Sequence, residues 1–227
     1  MEQKLISGIL KFQTEVYPRQ QQVYQKLAKG QSPDTLFIGC SDSRVMPNEF
    51  LQVGPGELFI CRNAGNIVPP HGDVLGGVSA TVEYAIEVLQ VKHVVICGHS
   101  DCGAMKAIIH PEKVAKYRAV AQWLRHAERV QAVAAALHNN LSEEDFLKRV
   151  IEENVITQID NLMTHPSVAA RARTGQLSVH GLVYDIASGD FRMLDRRTQS
   201  FHPVHEFASN PELQSGYVTE REQTVKA

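Results

Sequence analysis

Two short apolar runs in this chain end directly at residues that can bind a metal ion. The run TLFIGC (35–40) ends at Cys40, and KHVVICG (92–98) is followed at once by His99. Short continuous runs of apolar residues are typical of strands buried in a parallel sheet. The carboxyl ends of neighbouring parallel strands lie at one edge of the sheet, where ligands bind. The pattern therefore predicts a parallel sheet that brings Cys40 and His99 together at one edge.

The rest of the chain alternates between strand-like and helix-like patterns. A further strand is predicted within residues 55–65, and helices are predicted over about 76–89, 112–138 and 142–163. The segment 176–194 has the pattern of a hairpin with a Ser-Gly-Asp turn. We therefore predict an α/β fold with a mainly parallel central β-sheet flanked by helices, an N-terminal helical arm and a C-terminal strand pair.

Cys40, His99 and Cys102 together offer two thiolates and one imidazole. These are donors that zinc takes in a tetrahedral site, and three protein ligands leave the fourth position for water, as in catalytic zinc sites. Asp42 and Arg44 follow two and four residues after Cys40 and add an ion pair next to the ligands. The combination predicts metal-assisted hydration or hydrolysis.

The length of 227 residues fits one domain with additions at its ends. We predict a helical arm over residues 1–30, which Pro18 divides into two helices, and a zinc-binding α/β catalytic domain over 31–200. Residues 201–227 are polar with scattered prolines and are expected to form an extended tail.

Composition excludes several classes of protein. The formal net charge is -2 and the basic residues form no stripe, so we expect no nucleic acid partner. No apolar run reaches the length needed to cross a membrane, and the first residues lack the core of a signal peptide. We therefore expect a cytoplasmic protein, in which the four cysteines stay reduced. Metal binding or catalysis is then the better interpretation of at least two of them.

Four segments in order resemble the β class of carbonic anhydrases. They are CSDSRVMP, RNAGNIVPP, VEYA and ICGHSDCGAMK, and the resemblance extends from about Phe12 to about Leu194. It implies one Zn²⁺ per subunit, held by Cys40, His99 and Cys102. It also implies reversible hydration of CO2 to bicarbonate and a proton by attack of zinc-bound hydroxide, with an Asp42–Arg44 dyad orienting the nucleophile.

The same resemblance indicates which active-site type is present. Gln31, Phe59 and Tyr84 match the substrate-pocket residues of the plant-like type, and the backbone N–H of Gly103 is a second candidate donor to the substrate oxygen. The bicarbonate-inhibited type carries a tryptophan where this chain has Phe37. The resemblance therefore implies the plant-like, open type.

Arg62 and Tyr184 resemble other inhibitory-site positions, but the set is incomplete without the tryptophan. In the family the glutamine and the aromatic residues come from the neighbouring subunit, which implies a homodimer as the minimal unit, with CO2 and bicarbonate as ligands. Whether the assembly is a dimer, a tetramer or larger stays open, as do the role of the tail and whether Asp42 ever binds zinc. A carbon-concentrating compartment such as a carboxysome is the alternative location.

Three other interpretations of the same residues stay open. Related members of the superfamily hydrolyse CS2 or COS with the same metal and fold. A non-catalytic zinc protein would need a fourth ligand, and Asp42 is the one candidate that the sequence offers. A reactive Cys102 beside His99 would indicate a cysteine nucleophile or a redox enzyme. Zinc content and assays with each substrate separate these alternatives.

Overall fold

The structure, a computed structural model, describes residues 2–73, 76–137 and 141–210 and is built around a six-stranded sheet. The strands are β1 (Thr35–Cys40), β2 (Leu58–Asn63), β3 (His93–His99), β4 (Ser178–Tyr184), β5 (Phe191–Asp195) and β6 (Ser200–Pro203). The helices are α1 (Glu2–Lys11), α2 (Tyr17–Leu27), α3 (Pro47–Phe50), α4 (Gly77–Glu83), α5 (Gly103–Ile109), α6 (Arg118–Leu124), α7 (Glu128–Leu137), α8 (Glu143–Met163), α9 (Pro166–Arg173) and α10 (Val204–Ser209).

The parallel part of the sheet has the order β2-β1-β3-β4. Cys40 pairs with Asn63 of β2, and Gly39 pairs with Cys97 of β3. Because β1 and β3 are parallel neighbours in this register, Cys40 and His99 end at the same edge. The prediction of a mainly parallel sheet flanked by helices is confirmed.

The antiparallel part is larger than the sequence predicted. Strands β4 and β5 form the predicted hairpin, whose turn includes Gly189 at a φ of 79°. Strand β6 then pairs with β5 and is followed by α10, which buries Phe207. The prediction of an extended tail from Phe201 is therefore wrong for residues 201–209, while residues 211–227 lie outside the described residues. Strand β6 has the sequence SFHP, which is too short and too polar to give a recognisable strand pattern.

Helix α8 covers one face of the sheet. It begins after Ser142, whose Oγ accepts a hydrogen bond from the backbone N–H of Asp145 (3.1 Å). A Cβ atom added at Gly181 of β4 would lie 2.8 Å from Cγ1 of Val155, so glycine allows the close approach of helix and sheet. The helix predicted over 142–163 is confirmed.

The helix predicted over 112–138 is wrong as a single element. A 3-10 turn over Pro111–Lys113 precedes α6, and another over Arg125–Ala127 separates α6 from α7. The second turn directs the carbonyl of His126 toward the Nδ2 group of Asn161 on α8 (3.5 Å). The interruption of the helix is thus accompanied by a tertiary contact with α8. The spacing of apolar residues along 112–138 contains no information about that contact. Residue 138 lies outside the described residues.

The helix predicted over about 76–89 begins where expected. Gly76 precedes α4, and a π-helical turn over Tyr84–Val88 carries the helical path to its end. Thus the prediction of this element is confirmed.

The N-terminal helices form one path rather than two separated helices. A π-helical turn over Phe12–Val16 joins α1 to α2, in which Pro18 lies in the first turn. Proline lacks an N–H, and the wider turn accommodates that loss without a break. The predicted division at Pro18 is therefore wrong.

Helix α1 is exposed along its whole length. Its side chains Leu5, Ile6, Ile9 and Leu10 are each more than half exposed. Among the described residues, no helix is long and apolar enough to cross a membrane.

Candidate metal centre

Cys40, His99 and Cys102 lie together at the carboxyl edge of the parallel strands. Cys40 is the last residue of β1, His99 is the last residue of β3, and Cys102 directly precedes α5. Their ligand atoms all lie within 4.8 Å of one another, and all three side chains are buried. The structure thus brings together the three residues that the sequence nominated as metal ligands.

The His99 ring is oriented by its own segment. Its Nδ1 atom lies 2.9 Å from the carbonyl oxygen of Ser100, and because a carbonyl only accepts, Nδ1 carries the proton. Among the described residues, Nε2 of His99 is buried and has no hydrogen-bond partner. A buried acceptor of this kind is costly unless something binds it. A metal-binding histidine characteristically donates its other N–H to such a carbonyl.

The two sulfur atoms are surrounded by backbone amides. The Cys40 Sγ atom accepts a hydrogen bond from the N–H of Gly65 (3.4 Å), and backbone N–H groups of Ala104 and Met105 point to Cys102. The hydrogen bond from the Cys102 thiol lowers the pKa of Cys40 well below its usual value, and that bond together with burial raises the pKa of Cys102. The pair therefore carries negative charge, which favours a cation.

The donor set fits zinc. Two sulfurs and one imidazole nitrogen suit a tetrahedral ion with borderline-soft character. Within the described part of the chain, this group contains no fourth His, Cys, Asp or Glu. Three ligands from the protein leave one position for a reactant, as in catalytic sites.

Asp42 is held by a forked contact with Arg44. The Nε and Nη2 atoms of Arg44 donate to the two carboxylate oxygens of Asp42 at 2.9 and 2.8 Å, and the backbone N–H of Arg44 donates to one of them at 3.0 Å. Because these hydrogen bonds favour the anion, they hold the pKa of Asp42 well below its usual range. Both oxygens are thus held by Arg44 beside the three ligands.

Asp101 links the two loops of the site, a role that the sequence did not reveal. The Nη1 atom of Arg44 donates to Asp101 (2.9 Å), and Lys106 of α5 pairs with the same carboxylate. Asp101 has a φ of 60°, which turns the chain sharply between His99 and Cys102. The one sequence signal for this role was the position of Asp101 between the candidate ligands His99 and Cys102.

Arg62 fixes the backbone that carries a ligand and the dyad. Its Nε donates to the carbonyl of Cys40 (2.9 Å), and its Nη2 donates to the carbonyl of Asp42 (2.7 Å). The sequence had associated Arg62 with an inhibitory anion site. In the structure its guanidinium is engaged with the backbone of the loop that follows β1.

The sequence-nominated pocket residues are divided between two ends of the sheet. Gly103 begins α5 beside the ligands, but Gln31 is exposed and precedes β1. Phe59 pairs with Leu36, four residues before Cys40 along β1, which is about 13 Å at the usual rise of a strand. The ring of Tyr84 lies 5.8 Å from that of Phe59. One chain alone therefore does not bring Gln31, Phe59 and Tyr84 to the three ligands.

Comparison with known proteins decides the family. A family model described as carbonic anhydrase matches residues 35–191. A carbonic anhydrase of Pseudomonas aeruginosa is 48% identical over 211 residues, which are 93% of this chain and 94% of that relative. The solved structure of the β-carbonic anhydrase CcaA matches with a TM-score of 0.87 and 38% identity, over 89% of this chain and 91% of that one.

The chain belongs to the β-class carbonic anhydrases. The resemblance read from the four sequence segments is confirmed, and so is the assignment of the chain as an enzyme of the carbonate dehydratase type. The matched segment contains all three candidate ligands of this carbonic anhydrase and both residues of the dyad, whereas Gln31 precedes it.

A crystal structure of a tetrameric β-carbonic anhydrase from Sordaria macrospora also matches. Its TM-score is 0.74 at 30% identity, over 85% of this chain and 95% of that one.

Proposed function

We propose that this chain catalyses the reversible hydration of CO2 with one zinc ion per subunit, bound by Cys40, His99 and Cys102. The observation that carries the proposal is the buried Nε2 atom of His99, which has no hydrogen-bond partner among the described residues. It belongs to a group whose three ligand atoms all lie within 4.8 Å of one another. When bound, zinc supplies Lewis acidity that brings the pKa of water near 7. The side chains around the metal position orient the nucleophile and bind the substrate.

Asp42 orients the attacking oxygen. With its pKa held low, the carboxylate stays ionised and acts only as an acceptor of hydrogen bonds. It accepts the hydrogen of the oxygen nucleophile and so turns a lone pair toward CO2. Arg44 keeps both carboxylate oxygens engaged and prevents Asp42 from taking the open metal position itself.

The surroundings of Phe37 favour the plant-like, open type of site. Phe37 is fully buried and packs on Phe50 (5.9 Å between ring centroids), which in turn contacts Tyr184. Tyr184 stacks on Phe191 at 4.8 Å. Phe37 and Tyr184, two of the positions matched to the inhibitory site, thus pack against other aromatic rings, and Arg62 is engaged with backbone carbonyls. The arrangement supports the absence of an inhibitory bicarbonate site.

The site is completed by a second copy of the chain. Gln31, Phe59 and Tyr84 lie away from the ligands of their own subunit, and the apolar side chains of α1 are exposed. A two-fold dimer can bury such an arm and bring residues from one chain to the ligands of the other. CO2 is apolar, so the aromatic rings suit its pocket walls, and the Gln31 amide and the Gly103 N–H suit its oxygens.

Zinc content and substrate choice test this function directly. We expect about one zinc per chain by elemental analysis, rapid CO2 hydration by stopped-flow, loss of activity on chelation and recovery on adding zinc. Turnover of CS2 or COS without CO2 hydration would instead identify a hydrolase of the same superfamily. Zinc without any turnover would indicate a non-catalytic metal protein, and a chain that binds no zinc would contradict the proposal.

Mixed dimers test whether the site is shared. One chain carries Cys102→Ser, and the other carries Gln31→Ala with Tyr84→Ala, both at exposed positions. The mixed dimer then has one intact site and should show about half the wild-type activity, well above either parent. The matched control places all three changes in one chain and pairs it with wild type, which leaves no intact site. The reverse result, an inactive first mixed dimer and about half the wild-type activity in the control, would show that each pocket belongs to a single chain.

A further inference from the structure

Helix α8 carries a row of buried polar side chains on one face. Asn154, Gln158 and Asn161 lie on α8, and His165 lies two residues past its end, just before α9; they recur at intervals of three or four residues, and each is at most 7% exposed. We call these four residues the amide row. Polar groups buried so deeply require hydrogen-bond partners.

The partners of the amide row are backbone groups of the loop that follows β2. Asn154 donates to the carbonyl of Gly65 (3.0 Å), Gln158 accepts from the N–H of Val68 (2.9 Å), Asn161 donates to the carbonyl of Val68 (3.0 Å), and His165 lies 3.0 Å from the carbonyl of Pro69. Gln158 also donates to the side-chain oxygen of Asn154 (2.9 Å). Both polar ends of the Asn154 amide are therefore engaged.

Gly65 connects this row to the metal centre. Its carbonyl is held by Asn154, and its N–H donates to Sγ of Cys40 at 3.4 Å. Gly65 has a φ of 84°, and a Cβ atom there would lie 2.9 Å from Cβ of Ala104 in α5. The glycine is thus wedged between α8 on one side and the ligand loops on the other.

We propose that Asn154 is a positioning residue for the metal centre. By holding the carbonyl of Gly65, it keeps the Gly65 N–H against the Cys40 sulfur and so sets the charge that this thiolate donates to the metal. The inference rests on the proposed function, because it requires zinc at Cys40, His99 and Cys102. Partners of metal ligands of this kind typically alter metal affinity or activity by about 10- to 100-fold.

The chain offers a matched control in Asn161. It is the same residue type on the same helix, is likewise buried, and holds a carbonyl of the same loop, but that carbonyl belongs to Val68 and not to Gly65. If the amide row only attached the loop to α8, loss of either asparagine would have the same effect. If Asn154 acts on the thiolate through Gly65, the two losses differ.

The experiment compares Asn154→Leu with Asn161→Leu, which remove the same polar group at similar volume. The readouts are the rate of zinc release to a chromophoric chelator and the thiolate-to-cobalt charge-transfer absorption of the Co²⁺-substituted protein. We expect Asn154→Leu to release zinc about 10- to 100-fold faster than wild type and to shift the cobalt band. Asn161→Leu should leave the band unchanged and the release rate within about twofold.

Identical behaviour of the two variants, or unchanged zinc release in Asn154→Leu, would overturn the inference. If the wild-type protein binds neither zinc nor cobalt, the proposed function itself fails. If the wild-type protein binds both metals and the two variants behave identically, only the inference about Asn154 fails and the proposed function stands. Should a leucine variant not fold, Asn154→Ala and Asn161→Ala are compared by the same two readouts with the same expectation.

Discussion

Replacing Arg44 with alanine should lower the rate of CO2 hydration by about 100-fold or more. The substitution removes the fork that engages both oxygens of Asp42, so the carboxylate loses its orientation and becomes free to bind the metal. An exposed ion pair would be worth only about 0.2–1 kcal/mol, or less than about a tenfold effect. The size of the loss therefore decides between a catalytic dyad and a surface contact. Stopped-flow kinetics measure it, and X-ray absorption of the zinc reports any new oxygen ligand.

Two further variants serve as controls for this experiment. Arg44→Lys keeps the charge but not the planar fork, so it should recover little of the activity. Lys148→Ala removes an exposed cation that contacts Glu144 (3.1 Å) and Asp145 (3.2 Å) on α8, and it should leave turnover unchanged. Near-normal turnover in Arg44→Ala would refute the proposal that Arg44 orients Asp42 and keeps it from binding the metal.

Replacing Cys102 with serine should abolish zinc retention and CO2 hydration. A serine hydroxyl does not ionise in the accessible pH range, so the site keeps one sulfur and one nitrogen donor. The binding energy of structural zinc sites, which have four protein ligands, gives the scale: divided equally, it assigns about 3 kcal/mol to each ligand. Loss of one ligand should therefore lower zinc affinity by more than about 100-fold. Elemental analysis after gel filtration and stopped-flow assays measure the two losses.

Cys97 provides the matched control for Cys102→Ser. It is fully buried in β3, and burial raises its pKa to about 12, so it remains a neutral thiol. Its Sγ donates to the carbonyl of Gly98 (3.3 Å), a bond that a hydroxyl can also make. Cys97→Ser should keep zinc and activity. Zinc loss in both variants would mean that any buried serine disrupts this region, and zinc retention in Cys102→Ser would remove Cys102 from the ligand set.

Elements with strong local patterns were predictable, and those that depend on packing were not. Strands β1 and β3 are continuous apolar runs, and α8 has a serine at its start, so their residues specify them locally. The π-helical turn before Pro18 and the 3-10 turn at Arg125–Ala127 escaped prediction. Strand β6 escaped as well, because pairing with β5 stabilises it more than its own composition does.

The site shows the same division between local and distant information. The donor types at Cys40, His99 and Cys102 are readable from the chain, since each follows a strand pattern. The roles of Asp101, Arg62 and Asn154 were missed, because each acts through hydrogen bonds to groups far away in sequence. Residues 57 positions apart, as in the contact of Arg44 with Asp101, meet only after the sheet has formed.

The sequence by itself determined the family, the three candidate ligands and the edge of the sheet where they meet. The family follows from the resemblance of four sequence segments, whereas the ligands and the edge follow from residue type and from continuous apolar runs, which are local properties. Only the tertiary structure decided that Nε2 of His99 is the ring atom left for a metal and that Arg44 holds both oxygens of Asp42. It alone placed Phe59 and Tyr84 away from the ligands of their own chain. Those outcomes depend on strand register and side-chain hydrogen bonds, which exist only once distant segments pack.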